Sequence, residues 1–243
     1  MDVKTAGRTV ELFELFALER APLSLTETAR ALRAPLSSCF NLVRALERRG
    51  YLYGLSGRRI YPTRKLLELA KSISAGEPWM QRFEPKLAAL REATQETAIL
   101  GKRQDDQAIY LAVVEGPQNV RYSAQVGDLK PLHSSSIGKA LLISMTRAER
   151  EALVARLPLE ARTPNSITDS AALLADLEEC ERRGFTETRG ENVADVMAIA
   201  MPLRLGGDVY AIAVAGPMHR MLANADRHCA QLARICSELA AVP

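Results

Sequence analysis

The sequence predicts an α+β protein of two parts, a small helical unit closed by a β-hairpin and a larger unit of strands with helices grouped around them. Three observations predict it. Apolar residues recur at helical spacing through the first fifty positions, tyrosines flank a glycine-bounded turn between residues 51 and 61, and short strand-like runs separated by turn residues begin near residue 97. The 243 residues are 47% hydrophobic and 25% charged, a globular composition that excludes disorder, and the length suits two cores. No apolar run approaches the roughly 20 residues of a membrane helix. The N-terminus alternates charged and apolar residues without a signal core. A soluble, cytoplasmic protein with no membrane partner is therefore expected.

In the first helix Leu12, Phe13, Leu15, Phe16 and Leu18 form a broad apolar stripe, with Glu11, Glu14 and Glu19 outside it. Pro22 closes the connection that follows. Ser24 or Thr26 can cap a second helix, and Glu27 stands three residues after Ser24 at capping-box spacing. Leu25, Thr28, Ala29 and Leu32 form its inner face. Pro35 biases Ala34 away from the α region and suits the first turn of a third helix, which spans residues 36–49 and ends at Gly50. Cys39, Leu42, Val43 and Leu46 face inward on it, whereas Ser37, Asn41, Arg44 and Arg48 share the outer face. Tyr51-Leu52-Tyr53, the turn at 54–57 and Arg58-Arg59-Ile60-Tyr61-Pro62 then read as a hairpin. Two helices joined by a short turn and followed by such a hairpin make a winged helix-turn-helix.

The charge supports that reading. Residues 1–75 hold 13 Lys and Arg against seven Asp and Glu, a balance of +6, while the remainder holds 19 against 22, a balance of −3. A basic first half suits a polyanion. Ser, Asn and Arg can hydrogen-bond base edges, and paired arginines at the hairpin can reach phosphates. Ser37, Ser38, Phe40, Asn41, Arg44, Arg48, Arg58 and Arg59 are the candidate contacts to double-stranded DNA.

Residues 63–74 are periodic and predict a linker helix, and a further helix spans 79–94. The expected parts are a DNA-binding domain at 1–62, the linker helix at 63–76 and a larger second domain at 77–243, for which the family resemblance set out below implies effector binding and oligomerisation. In the last, strands are predicted at 97–103, 108–115, 120–125, 185–187, 196–203 and 209–215. Helices are predicted from about Ser134, at 147–157, at 170–183 and at 224–241. From the residues alone the serines at 134–136 read first as the cap of a helix packed on the sheet. They read second as a helix N-terminus whose outward amides favour an anion, and Gly138 permits close backbone approach.

Taken together, Arg8-Thr9-Val10, Leu25-Thr26-Glu27-Thr28-Ala29, Leu36-Ser37-Ser38 and Leu46-Glu47-Arg48-Arg49-Gly50-Tyr51 resemble the IclR family of bacterial transcription regulators. The likeness continues through Val126-Gly127, the stretch Pro131-Leu132-His133-Ser134-Ser135-Ser136-Ile137-Gly138-Lys139-Ala140, Arg183-Gly184-Phe185, Glu191, Ala200-Met201-Pro202 and Gly216-Pro217-Met218-His219-Arg220. It departs at Arg33, where the family usually has Gly, at Leu36, where it often has a base, and at Asp195, commonly Gly. The resemblance implies a GAF-like or profilin-like effector domain. It also implies a homodimer or dimer of dimers on palindromic operator DNA, and an effector pocket containing Ser135, Ser136, Ile137, Thr188, Ala198, Ala213 and Ala215. Members that bind small polar acids tend to carry an acid, a Cys and serines at several of these positions. The residues here imply a less polar pocket, suited to an aromatic or larger aliphatic carboxylate.

No cofactor or metal is expected. Cys39, Cys180, Cys229 and Cys236 form no C-x-x-C pair, and His133, His219 and His228 lack ligand spacing. Ile137-Gly138-Lys139 has His133 where a phosphate loop needs its first glycine, and no Ser or Thr follows Lys139. Without a G-x-S-x-G elbow or another nucleophile–base set, no catalytic residue is assigned.

Overall fold

A computed structural model describes residues 4–76 and 78–241. Its contacts fall into two units, one ending at Pro78 and the other beginning at Trp79. Glu77, the first residue of the expected effector domain, lies outside the described residues.

In the first unit α1 (Lys4–Glu19), α2 (Leu25–Ala31) and α3 (Leu36–Arg48) pack with a three-stranded sheet of order β1-β3-β2, formed by β1 (Leu23–Ser24), β2 (Leu52–Leu55) and β3 (Arg59–Pro62). Leu12, Phe16, Val43, Leu46, Leu52 and Ile60 are its buried centre. Ser24 caps α2 as expected: its Oγ accepts from Glu27 N at 3.3 Å, and its own N–H donates to Glu27 Oε2 at 2.7 Å. The two-residue β1, absent from the sequence reading, pairs with β3 and ties the wing to the start of α2. Next comes α4 (Lys65–Ala75), which buries no residue within the unit and leaves Leu67, Leu69 and Ile73 exposed.

The second unit is a six-stranded antiparallel sheet covered on both faces. Its strands are β4 (Thr97–Gln104), β5 (Gln107–Val114), β6 (Leu129–Pro131), β7 (Thr186–Arg189), β8 (Val196–Leu205) and β9 (Asp208–Pro217), in the order β6-β5-β4-β9-β8-β7. Against one face lie α6 (Ser136–Ile143), α7 (Arg147–Val154) and α8 (Ser170–Arg183), packed through Ile137, Leu141, Leu153 and Leu173. Against the other lie α5 (Pro78–Thr94), α9 (Met218–Ala223) and α10 (Ala225–Ala240), with Phe83, Leu87, Met221, Leu232 and Ile235. Burial on both faces explains the nearly continuous apolar runs of β4, β8 and β9. The β8–β9 hairpin turns on Gly206 and Gly207 at φ 57° and 86°, the positive values a two-residue hairpin turn requires.

One expectation needs correcting. Residues 120–125 are not a strand. Arg121 Nε donates to Glu115 at 2.8 Å, Ser123 also bonds Glu115, and the Tyr122 carbonyl accepts from Thr97 Oγ1, so this segment is held by side chains. The edge beside β5 is taken instead by the unforeseen β6, paired at Gln107↔Pro131 to Ile109↔Leu129. The predicted last helix is present at Ala225–Ala240 with Asn224 as its N-cap, and a separate helix, Met218–Ala223, precedes it.

Candidate functional site

The helix-turn-helix presents one polar surface. Between α2 and α3, Ala34 N–H donates to Ala29 O at 3.0 Å, and Arg33 takes the left-handed conformation at φ 46°. The turn thus needs the backbone that Gly adopts freely, and an arginine supplies it under strain. Ser37, Phe40, Asn41, Arg44 and Arg48 are exposed on α3, whereas Cys39, Val43 and Leu46 are buried. Ser38 is half-buried and accepts a bond from Arg8 Nη1 at 3.2 Å, which ties α1 to α3. Among the described residues, Ser37, Asn41, Arg48 and Arg58 make no side-chain bond, leaving their donors free. The two wing arginines separate. Arg58 stands exposed at the tip at φ 57°, but Arg59 Nη1 donates to Pro22 O at 2.8 Å and its Nη2 lies 3.8 Å from Glu27. Arg59 clamps the wing to α2 rather than extending beside Arg58.

In the second unit a cavity of about 30 Å³ opens between α6, the sheet and residues 190–196. Ser135, Ser136, Thr188, Ala198, Ala213 and Ala215 line it, together with Ile99, Tyr110, Tyr122, Asn192, Val193 and Val196. Ile137 does not. It is 1% exposed and packs over Gly101 in the sheet core, because α6 turns it toward β4 rather than toward the cavity. A Cβ on Gly138 would lie 2.5 Å from the Leu132 backbone, so the helix start sits directly on that segment. Ser135 is the N-cap: its Oγ accepts from Gly138 N at 3.1 Å and donates to Pro131 O at 2.6 Å. The Ser136 and Thr188 hydroxyls are unbonded among the described residues. Ser136 and Ile137 are also in the first helical turn, where amide N–H groups lack intrahelical acceptors.

Tyr110 and Tyr122 were missed by sequence reasoning. Burial, reinforced by the neighbouring Tyr122 hydroxyl, pushes the Tyr110 phenol well above its usual range. Tyr110 reaches the cavity because Leu111 is an extra residue opposite the Leu100–Gly101 step, a bulge that reverses the alternation of β5. Tyr122 hides in the segment that reads as a strand. Its loop is held from the other face of the sheet, where Arg220 grips Glu96 at 2.6 and 2.8 Å and donates to Val120 O at 2.9 Å.

The loop bearing Asn192 and Val193 is latched to α6. Lys139, fully buried, lies 2.8 Å from Asp176 and 2.7 Å from Glu191, and burial raises the Glu191 carboxyl above the usual carboxylate range. Thr163 and Ser166 hydroxyls donate to the carbonyls of Gly190 and Glu191. Lys139 and Glu191 both stood in the motifs quoted above, but only the fold shows that they meet.

Two family descriptions match this chain. Residues 5–55 match the IclR helix-turn-helix domain, and residues 77–240 match the bacterial transcriptional regulator IclR C-terminal domain. The chain belongs to the IclR family. This IclR-family chain is 30% identical over 224 residues to the HTH-type transcriptional regulator BhcR of Paracoccus denitrificans, covering 90% of this chain and 79% of BhcR. It is 28% identical over 208 residues to the HTH-type transcriptional repressor AllR of Escherichia coli, covering 82% and 74% respectively. Among solved structures, IclR of Thermotoga maritima superposes with a TM-score of 0.78 at 21% identity, covering 98% of this chain and all of that one (100%). An IclR homologue from Microbacterium hydrocarbonoxydans complexed with 4-hydroxybenzoate superposes at 0.77 with 23% identity, covering 97% of each chain. The IclR-family chain is accordingly a DNA-binding transcription regulator, not an enzyme. No helix among its described residues is long and apolar enough to cross a membrane.

Proposed function

We propose that this regulator binds operator DNA in a manner modulated by a small carboxylate effector, aromatic or moderately apolar, drawn from a catabolic pathway. The cavity carries the reading. Its walls are mostly tyrosine, Ile, Val and Ala, with Asn192, the unbonded hydroxyls of Ser136 and Thr188 and the first-turn amides of α6 as polar groups. Among the described residues, no acidic, cysteine or cationic side chain lines it. A highly hydroxylated or very small polar acid would leave groups unpaired on burial, at about 1–3 kcal/mol each. A flat apolar carboxylate meets both the walls and the donors. The fold is shared with the relative that holds 4-hydroxybenzoate.

Residues 1–62 form the DNA-binding domain, 63–76 the linker helix and 77–243 the effector and oligomerisation domain in this reading. The DNA face is Ser37, Ser38, Phe40, Asn41, Arg44 and Arg48 of α3 with Arg58 of the wing, and Arg59 supports the wing through Glu27. The exposed Leu67, Leu69 and Ile73 of α4 favour a second copy of the chain, giving a homodimer or dimer of dimers that meets the half-sites of a palindrome in successive major grooves. Effector shifts DNA binding only by as much as it prefers one arrangement of the DNA-binding domains over another. Thermal melting with a panel of carboxylic acids, followed by gel shifts on a selected duplex with each hit, tests this. Stabilisation by benzoate-sized acids that alters DNA binding is the expected result. Stabilisation by glyoxylate- or pyruvate-sized acids alone refutes it.

A further inference from the structure

Part of the exposed surface of α3 is apolar. Leu36 is 51% exposed and Phe40 48%, one turn apart along the border of the buried stripe of Cys39, Val43 and Leu46. With Arg44 they stand at i, i+4 and i+8 and form a single ridge. The Arg44 guanidinium lies 5.6 Å from the Phe40 ring centroid, so the ring is propped against a cation instead of folding into the core. Exposed apolar side chains rimmed by polar ones mark a contact surface. Here the rim is Ser37, Asn41 and Arg48, in a segment whose charge balance is +6, which selects a polyanion over another protein face. The apolar group that a DNA major groove presents on its base edges is the thymine 5-methyl. Leu36 is the first residue of α3 and Phe40 lies in its second turn, the part of a recognition helix that meets base edges.

We propose that Leu36 and Phe40 are specificity-determining residues that select thymine by packing on its 5-methyl group, while Arg44, stacked on Phe40, reads a neighbouring guanine. The inference rests on α3 being the DNA face. Duplexes selected by the full-length protein from a randomised library carry thymine at fixed positions in each half-site if it holds. Deoxyuridine at those positions deletes only the methyl and should weaken binding about three- to five-fold per group, the worth of burying one methylene-sized unit. Phe40→Ala and Leu36→Ala, at exposed positions, should each lose discrimination between thymine and uracil at one position, whereas Asn41→Ala should weaken binding with the discrimination intact. Equal binding of the thymine and uracil duplexes by the unaltered protein overturns the inference. If Arg44→Ala weakens binding in that case, the DNA face stands. Selection of no duplex, or binding insensitive to both Asn41→Ala and Arg44→Ala, overturns the DNA face and the inference together.

Discussion

Two helices, α3 and α6, follow short turns and begin with serines nearby, yet they are used in opposite ways. Of the 13 residues of α3 only Cys39, Val43 and Leu46 are buried, whereas all eight residues of α6 are. Helix α3 is anchored by one stripe and offers the rest of its surface to a partner. Helix α6 is fixed on every side and offers only its N-terminal turn. A surface reader tolerates substitution of its exposed side chains without loss of fold, because they contact nothing internal. An enclosed helix couples each side chain to the cavity wall beside it.

The largest effect expected from this difference lies at Lys139. Lys139→Met leaves Asp176 and Glu191 facing each other without the cation, so chemical denaturation of the effector unit should show a loss of about 3–5 kcal/mol, toward the lower end if Glu191 takes up a proton. A change below 1 kcal/mol would mean the latch carries little. On α3, Asn41→Ala or Arg44→Ala should leave melting unchanged and reduce operator affinity by about 1–3 kcal/mol with relaxed sequence preference, read by gel shift on variant duplexes. A large melting loss in these variants would place α3 with α6 as an internal helix. Next is Arg33→Gly. It removes a left-handed arginine and should stabilise the first unit by about 1 kcal/mol in denaturant titration, with DNA binding unchanged. No gain would mean that the turn is not strained.

The smallest expected effect is a pH dependence confined to the second unit. Burial holds His133 and His228 below the usual histidine value of 6.5. The unfolded chain therefore binds protons first on acidification. Stability from these groups is complete above pH 6.5 and is lost as pH falls through and below it, down to the folded-state values. Melting of a His133→Gln, His228→Gln variant should be flatter in that window, distinct from the carboxylate losses nearer pH 4. A wild-type profile unchanged between pH 7 and 5 would contradict the buried, neutral imidazoles.

Local chemistry made the first unit legible. A capping box at Ser24–Glu27, a proline break at Pro35 and one inward stripe on α3 are short-range signals, and each element they mark is present. The division of labour between the wing arginines was not legible. Arg58 and Arg59 are neighbours in sequence, but β1–β3 pairing brings Glu27 and Pro22 to only one of them.

In the second unit most strands could be read from apolar runs, and six of the seven proposed pocket positions surround one cavity. The Ile137 side chain lies outside that lining because the direction of a side chain from a fully buried helix follows what packs on each side, and α6 has no polar face to betray it. Residues 120–125 failed because alternation is shared by strands and by extended loops, and only the competition for the β5 edge distinguishes them.

By itself the sequence determined the family, the two-part α+β organisation, the inward and outward faces of α3 and the serine-capped start of α6. These depend on periodicity, caps and breakers within a few residues. Tertiary structure alone decided that a bulge at Leu111 turns Tyr110 into the cavity, that Lys139 latches the loop of Asn192, and that Phe40 stands outside under Arg44. Each of these is set by which distant backbone occupies the adjoining space, and that contact leaves no periodic trace along the chain.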